Sequence, residues 1–291
     1  MQDVKNNPTH PATPGQPLRL VGEPIAPESS AFFSQHGEDI VAWKTLSRSK
    51  GPRYFVEVGM IDGRRFSNTL AFEKRGWRGL CVEAHPGFVD FVRRHRPNST
   101  VIHAAAAGPE SHGKMLPFYA DPRGDLSSLN PRNEQEMKDR FGHWFQGYDV
   151  IDVPVRTLDD MLHKAQAPQG MELVSIDIEG GEIDALRGFD LDYWQPRLII
   201  LEADDAQALS TLNHYLVPKG YQPARIVGVN AVYTRTHLDA LRVRTARVDQ
   251  RVLHTAHPTD RSIGDAMIVP SAYETRSQFA KRMLRTLAIA A

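Results

Sequence analysis

Short apolar runs alternate with amphipathic stretches through most of residues 31–235. The apolar runs have the length and composition of buried strands; they span residues 54–58, 79–83, 100–106, 173–178 and 198–201. Apolar positions at helical spacing lie between them, at residues 67–75, 88–95, 158–165 and 205–218. Continuous apolar strands separated by helices predict an α/β domain with a parallel sheet covered on both faces.

Three further segments complete this pattern. Residues 221–227 and 231–234 are spaced as a closing strand pair. Residues 113–119 and 149–156 predict β structure on either side of a long polar and aromatic insertion. We therefore place one α/β domain at residues 31–235.

The two ends of the chain differ from this domain. Residues 1–30 carry six prolines and few apolar side chains, and we expect a flexible arm there. We expect a C-terminal extension at 236–291, in which residues 273–291 place apolar side chains on one helical face. This segment predicts a helix packed on the domain or on a dimer mate, which leaves a homo-oligomer open. Binding of the basic helix to a membrane or another partner is the alternative.

Composition limits the function classes. The 35 basic and 35 acidic side chains give a net charge of +0, which argues against a general nucleic-acid binder. Cys81 is the one cysteine, so no internal disulfide can form, and we expect a reducing, cytoplasmic location. No apolar run is long enough to span a bilayer, and we expect no transmembrane segment.

A glycine turn follows the first predicted strand and indicates a nucleotide-like ligand. The run Phe-Val-Glu-Val-Gly-Met-Ile-Asp-Gly at residues 55–63 places Glu57 at the strand end and Gly59 and Gly63 in the turn. Glycines let a backbone approach a ligand closely. Glu83 ends the second strand about 20 residues further on, where such folds hold a ribose-binding acid. We therefore predict cofactor contacts at these residues and at Ala84.

The turn favours a sulfonium cofactor over a pyrophosphate. A dinucleotide fingerprint needs a middle glycine, but Ile61 stands there, and Asp62 adds negative charge. S-adenosylmethionine carries an ammonium and a sulfonium, which Glu57 and Asp62 can help to neutralise. An NAD-dependent oxidoreductase and a turn without a ligand are the alternatives.

Five motifs, in order, resemble those of FkbM-type methyltransferases, and the resemblance runs from about residue 32 to 235. They are Ser-Gln-His-Gly-Glu-Asp at 34–39, the glycine turn followed by Ser-Asn-Thr at 67–69, Gly-Trp-Arg-Gly at 76–79 with Val-Glu at 82–83, Gly-Asp-Leu-Ser-Ser-Leu at 124–129, and Ser-Ile-Asp-Ile-Glu-Gly-Gly-Glu at 175–182. The resemblance implies a Rossmann-like class I methyltransferase fold with a mostly parallel seven-stranded sheet. It also implies S-adenosylmethionine as methyl donor and O-methylation, often of sugars or natural products.

Acidic residues at the far strand ends are the candidates for chemistry. A hydroxyl acceptor needs a general base or a metal that lowers its pKa. Asp177 and Glu179 follow one buried strand and Glu202 follows the next, and ligands bind beyond the carboxyl ends of strands. We predict Asp177, Glu179 and Glu202 as catalytic residues, and Asp177 also as a cofactor contact. A divalent cation held by these acids is the less favoured alternative.

Other polar residues are assigned lesser roles. His36 is a catalytic candidate because it lies in the Ser-Gln segment, and His85 is a second candidate because it follows Glu83. For Glu182, helix capping and a site role are equally plausible. Aromatic and polar residues in the insertion at 114–153 suit an acceptor with hydroxyl groups, while a lid or an oligomer contact is the alternative.

These observations predict an S-adenosylmethionine-dependent O-methyltransferase that acts on a hydroxyl of a saccharide or a natural-product small molecule. A non-catalytic binding or assembly protein that keeps the fold is the second hypothesis. The acids at both groups of strand ends argue against it, because a degenerate pocket has no need for Glu57, Glu83 and Asp177 together.

Overall fold

A computed structural model describes residues 32–248, apart from the side chain of Trp144. The predicted arm at 1–30 and the predicted helix at 273–291 lie outside these residues. Within them the strands are β1 (Tyr54–Val58), β2 (Arg78–Glu83), β3 (Thr100–His103), β4 (Ala105–Ala106), β5 (Met115–Ala120), β6 (Asp149–Arg156), β7 (Leu173–Ile176), β8 (Leu198–Glu202), β9 (Gln222–Val227) and β10 (Asn230–Thr234).

Helices connect these strands. The α-helices are α1 (Glu38–Leu46), α2 (Leu70–Glu73), α3 (Pro86–His95), α4 (Glu134–Phe141), α5 (Leu158–Lys164), α6 (Glu182–Arg187), α7 (Leu191–Trp194), α8 (Ala206–Leu216) and α9 (His237–Thr245). Short 3₁₀ turns occur at Pro109–Ser111, Gly142–Trp144 and Val217–Lys219. No helix in the described part of the chain is long and apolar enough to cross a membrane.

The main sheet has seven strands in the order β3-β2-β1-β7-β8-β10-β9. The first five are parallel to one another, and β10 runs antiparallel to both of its neighbours. This confirms the predicted mostly parallel seven-stranded sheet. The insertion contributes β5 and β6 to a second sheet, in which β4 is the parallel edge strand.

Alternate residues of each central strand fill two cores, one on each face of the main sheet. Val56, Leu80 and Val174 pack on one face with helices α5 to α8. Phe55 and Cys81 pack on the other face with α1, α3 and α9. Strand side chains alternate between faces, so strands buried on both sides must be apolar throughout, as the sequence pattern indicated.

Two elements depart furthest from their predicted bounds. Helix α2 begins at Leu70 rather than at residue 67, because the hydroxyl oxygen of Ser67 accepts hydrogen bonds from the N–H groups of Thr69 and Leu70 in a preceding turn. The strand predicted at 100–106 is divided at Ala104, and its second part joins the other sheet. Tertiary pairing thus overrides the local apolar run.

The helical core continues beyond residue 235. Helix α9 contributes buried Ala240 and Val243 to the core shared with α1. Its first turn is fixed by Thr236, whose hydroxyl accepts a hydrogen bond from the N–H of Asp239. The first helix after residue 235 thus packs on the domain, while the predicted domain boundaries stay a prediction.

Candidate functional site

An open cavity lies at the carboxyl ends of β1, β2, β7 and β8. One side of it is formed by the strand ends and the turns that follow them. The insertion forms the other side through residues 124–130. Predicted site residues in its lining are Glu57, Gly59, Glu83, Ala84, Asp177, Glu179 and Glu202. Sequence reasoning did not single out Gln35, Arg65 or Asn68, which also line it.

The glycine turn after β1 has a backbone that only some residues tolerate. Gly59 has φ 79°, and a Cβ atom there would overlap the carbonyl oxygen of Asp177. The turn therefore brings the ends of β1 and β7 together only because residue 59 lacks a side chain. Ile61, at the position of the missing middle glycine, has φ 53° and forms part of the cavity wall.

Glu57 is engaged by the protein itself. Its carboxylate accepts hydrogen bonds from the Asn68 N–H (2.6 Å) and the hydroxyls of Ser67 (2.8 Å) and Thr69 (2.6 Å). It also pairs with fully buried Arg96 at 2.9 Å. The oxygens of Glu57 thus fix the turn and stabilise Arg96 while the residue lines the cavity, and its role in neutralising a cofactor stays a prediction.

Asp62 and Gly63 also serve the turn rather than the cavity. Neither is among the lining residues that the structure describes. Oδ1 of Asp62 accepts hydrogen bonds from the N–H groups of Arg64 (2.9 Å) and Arg65 (2.8 Å). A Cβ at Gly63 would lie 3.1 Å from Cα of Val92 in α3. The structure thus shows turn and packing contacts for both residues, and their cofactor contacts stay predictions.

Glu83 lies at the end of β2 and lines the cavity beside Ala84. Its two carboxylate oxygens accept hydrogen bonds from the N–H groups of Met60 (2.9 Å) and His85 (2.7 Å). Burial raises the pKa of Glu83 to about 7, while these N–H groups oppose the rise. Each carboxylate oxygen can accept more than one hydrogen bond, so Glu83 keeps acceptor capacity for a ligand hydroxyl.

The two candidate histidines lie outside the described lining of the cavity. His36 packs its ring against Gly228, where a Cβ would overlap it, and its N–H donates to Glu38 (2.8 Å). The neighbouring Gln35 lines the cavity instead. His85 caps α3, because its Nδ1 accepts a hydrogen bond from the Gly87 N–H (3.0 Å). The catalytic role of His36 stays a prediction, which its position outside the described lining does not support.

Three predicted catalytic acids come together at the ends of β7 and β8. Carboxylate oxygens of Asp177, Glu179 and Glu202 lie within 4.8 Å of one another. Burial, reinforced by mutual repulsion, raises the pKa of Asp177 to about 7 and of Glu179 to about 8. The same causes raise the pKa of Glu202 well above its usual range. At neutral pH the group therefore holds protons that it can exchange.

The insertion supplies a counter-charge to this acidic cluster. Arg132 Nη2 lies 3.7 Å from Glu179 and 2.7 Å from Asp204. Ser128 donates hydrogen bonds to the carbonyl oxygens of Ile178 (3.3 Å) and Glu179 (3.0 Å). Three carboxylates at this spacing have the oxygen ligands that Mg²⁺ or Ca²⁺ prefers, but Arg132 already offers one of them a positive charge.

Glu182 stabilises the turn that presents the cluster. Its Oε1 accepts hydrogen bonds from the N–H groups of Ile178 (3.0 Å) and Gly180 (3.3 Å). Glu179 sits inside this turn with φ 56°, a conformation that costs energy for a residue with a side chain. Glu182 lies in the first turn of α6, but these hydrogen bonds go to the preceding turn and not to the N–H groups of the helix; a site role stays a prediction.

Comparison with known proteins identifies the family of this chain. A family model described as "Methyltransferase FkbM domain" matches residues 57–249, well over half of the chain. The chain belongs to the FkbM methyltransferase family. This confirms the resemblance drawn from the five motifs and, with the strand order above, the Rossmann-like class I methyltransferase fold.

A named relative is similar over part of its length. "Methyltransferase 1" of Beauveria bassiana (strain ARSEF 2860) is 26% identical over 156 residues, which cover 50% of this chain and 63% of that protein. The chain thus matches less than two thirds of the relative. We take from this match no substrate and no partner.

Solved structures show weaker likenesses. The precorrin-6y C5,15-methyltransferase of Geobacter metallireducens GS-15 is 12% identical, with a TM-score of 0.38, over 68% of this chain and 86% of that one. The O-methyltransferase of Bacillus cereus in complex with SAH is 10% identical, with a TM-score of 0.36, over 72% and 80%. At these TM-scores the likenesses add no argument about function.

The cavity of this FkbM methyltransferase fits S-adenosylmethionine, the methyl donor that the family implies. Glu83 offers acceptor capacity at the strand end where ribose hydroxyls bind in such folds. The carboxylates of Asp177 and its neighbours offer negative charge that complements the positive charges of the sulfonium and ammonium groups of the cofactor. The buried amide oxygen of Asn68 lacks a hydrogen-bond partner within residues 32–248, as expected of a group that a ligand completes.

Proposed function

We propose that this protein transfers a methyl group from S-adenosylmethionine to a hydroxyl oxygen of a saccharide or natural-product small molecule. Membership of the FkbM methyltransferase family supports methyl transfer. One observation carries the choice of a hydroxyl acceptor: Asp177, Glu179 and Glu202 form a partly exposed acidic cluster in the same cavity as Glu83. Such a cluster suits an acceptor that must lose a proton.

Glu83 and Ala84 are proposed to bind the nucleoside part of the cofactor. Glu83 would accept hydrogen bonds from ribose hydroxyls while Met60 and His85 hold its carboxylate in place. The small side chain of Ala84 leaves room beside it for the nucleoside. Gly59 would allow the cofactor to approach the backbone of the turn.

The acids at the ends of β7 and β8 are proposed to handle the proton of the acceptor. S-adenosylmethionine, when bound, supplies an electrophilic methyl group with a good leaving group. An alcohol is a poor nucleophile until a base takes its proton. Asp177 has a pKa of about 7, close to the value at which a general base works best at neutral pH. We assign Asp177 as the base, with Glu202 sharing the proton.

The insertion is proposed to bind the acceptor. Its segment 124–130 lines the cavity with Asp125, Ser127, Ser128 and Asn130, and Leu129 adds an apolar surface. Arg65 pairs with Asp125 at 2.5 Å and holds this segment against the glycine turn. Closely spaced hydroxyl, amide and carboxylate groups can bind several ligand hydroxyls, which supports a polyhydroxylated acceptor.

Calorimetry and labelled methyl transfer test this proposal. The protein is titrated with S-adenosylmethionine, S-adenosylhomocysteine and NAD, then incubated with methyl-labelled S-adenosylmethionine and fractionated glycan and metabolite extracts. We expect binding of both sulfur compounds and label transferred to an oxygen. If neither S-adenosylmethionine nor S-adenosylhomocysteine binds, the proposal is contradicted. Binding of NAD alone would support an oxidoreductase. Binding of S-adenosylhomocysteine without transfer to any fraction is the result expected of a non-catalytic assembly protein.

A further inference from the structure

Asn68 is a buried part of the cavity wall that the proposed chemistry has not used. It lies in the turn between β1 and α2, and 5% of its surface is exposed. Its backbone N–H donates to Oε1 of Glu57 (2.6 Å), and its side-chain Nδ2 donates to the hydroxyl of Ser175 (3.0 Å). These two bonds hold the residue to β1 and β7 at once.

The amide oxygen of Asn68 has no hydrogen-bond partner among the described residues, and it is buried. Buried polar atoms in folded proteins nearly always have a partner, and each exception calls for an explanation. Packing alone does not require an amide here, since the bond to Ser175 needs only a donor. A ligand that brings a donor into the cavity would satisfy this oxygen.

The surrounding charge indicates which donor fits. The charged side chains of the described cavity wall are mostly acids, among them Glu57, Glu83, Asp177, Glu179 and Glu202. Asn68 is bonded to Ser175, two residues before Asp177 on the same chain segment. An unsatisfied acceptor beside carboxylates favours a cationic donor over an anion. The α-ammonium of a methionine moiety has three N–H donors and a positive charge.

We propose that the amide oxygen of Asn68 accepts a hydrogen bond from the α-ammonium group of S-adenosylmethionine. This inference rests on the proposed function, since it takes that cofactor as the ligand. It assigns the methionine end of the cofactor to the part of the cavity between Asn68 and Asp177. The nucleoside end then lies toward Glu83, across the glycine turn.

Three ligands distinguish a contact to the ammonium group from a contact to the carboxylate. Two variants at residue 68 test whether an oxygen acceptor is needed there. S-adenosylhomocysteine carries both the ammonium and the carboxylate, decarboxylated S-adenosylhomocysteine keeps only the ammonium, and 5′-methylthioadenosine has neither. Their dissociation constants are measured by calorimetry for the wild type, Asn68→Leu and Asn68→Asp. Leucine removes the acceptor at similar volume, whereas aspartate keeps an oxygen acceptor. Thermal unfolding without ligand checks that each variant folds.

We expect Asn68→Leu to lower the affinity for the two ligands that carry the ammonium group at least tenfold. Its affinity for 5′-methylthioadenosine should be unchanged. Asn68→Asp should retain affinity for all three. Equal weakening of all three ligands by Asn68→Leu would overturn the inference, because it would mean a structural role. If Asn68→Leu lowers the affinity for S-adenosylhomocysteine alone, the inference is also overturned, because residue 68 would then contact the carboxylate of the ligand and not its ammonium group.

The wild-type series provides a test that needs no variant. We expect decarboxylated S-adenosylhomocysteine to bind within a few-fold of the parent compound, and 5′-methylthioadenosine at least tenfold more weakly. Equal affinity for all three would overturn the ammonium contact while leaving methyl transfer intact. If the wild type binds none of them, the proposed function fails, and this inference fails with it.

Discussion

The guanidinium of Arg132 lies 3.7 Å from the carboxylate of Glu179, so a side chain of the insertion meets the acidic cluster at the strand ends. Glu179 cannot turn away freely, since it is held in a tight turn with φ 56°. A positive charge at this distance favours the ionised form of Glu179 and of its neighbours. Arg132 thus influences the pH at which the cluster gives up its protons.

Replacement of Arg132 by methionine should shift the pH dependence of methyl transfer. Without the guanidinium, the pKa values of the clustered acids rise further, so the base is ionised only at higher pH. The ascending limb of kcat/KM against pH, expected near pH 7 from Asp177, should move to higher pH. Arg140→Met is the matched control, because Arg140 pairs with Asp204 at 3.5 Å and is 45% exposed. Identical profiles for Arg132→Met and the wild type would contradict this role.

Asp177→Asn should lower turnover far more than cofactor binding. The amide cannot take the acceptor proton, and general bases contribute roughly 10²- to 10⁴-fold to such reactions. We expect kcat to fall by about that factor and the remaining activity to lose its rise near pH 7. Glu134→Gln, on exposed α4, serves as the control. A variant with wild-type kcat would exclude Asp177 as the base.

Glu83→Ala should weaken S-adenosylhomocysteine binding at least tenfold, about 1.4 kcal/mol or more. The carboxylate is expected to accept hydrogen bonds from the ribose, and charged hydrogen bonds are worth roughly 1.5–3 kcal/mol. Calorimetry measures the change. Asp90→Ala, which removes an exposed acid from α3, should leave the affinity unchanged. Wild-type affinity in Glu83→Ala would show that another residue binds the ribose.

Arg96→Met should destabilise the fold strongly. Arg96 is fully buried and pairs with Glu57 at 2.9 Å and Glu73 at 2.7 Å. Its removal leaves buried carboxylates without a counter-charge, which costs about 3–5 kcal/mol. Denaturant unfolding measures the loss. Arg93→Met, on the helix that precedes Arg96, is the control, since Arg93 is 55% exposed and its pair with Asp90 is a surface pair. Similar losses in both variants would refute the importance of the buried network.

Chelation of divalent cations should leave methyl transfer unchanged. Arg132 already supplies positive charge beside Glu179, and the raised pKa of Asp177 allows proton transfer without a metal. Turnover is compared before and after treatment with a chelator, with and without added Mg²⁺. A loss that Mg²⁺ restores would instead assign Asp177, Glu179 and Glu202 as metal ligands.

Much of the fold was predictable from the local pattern. Strand β1 has its predicted bounds, because a short apolar run buried on both faces of a sheet is distinctive. Strand β6 also has its predicted bounds, and its buried residues alternate with more exposed ones toward its end. The predicted bounds were wrong where contacts between residues far apart in the sequence determine where an element begins or ends. Helix α2 is shortened by the hydrogen bonds of Ser67, and the strand predicted at 100–106 is divided between two sheets.

The site was predictable in part, for the same reason. The sequence placed Asp177 and Glu202 after successive buried strands, and parallel neighbours bring such ends to one edge. It could not show that His36 packs on Gly228 instead of lining the cavity. The sequence also could not assign a role to Asn68. Its side-chain Nδ2 donates to Ser175 while its amide oxygen has no partner among the described residues, and only the fold brings these two residues together.

By itself, the sequence determined the family, the strand order along the chain and the acids at strand ends, because these follow from local patterns. Only the tertiary structure decided which partners each acid has. Glu57 is paired with Arg96, which follows helix α3, whereas backbone N–H groups hold Glu83 and Asp177 faces its acidic neighbours. Hydrogen bonds and ion pairs between distant segments make that choice, and a local pattern does not contain them.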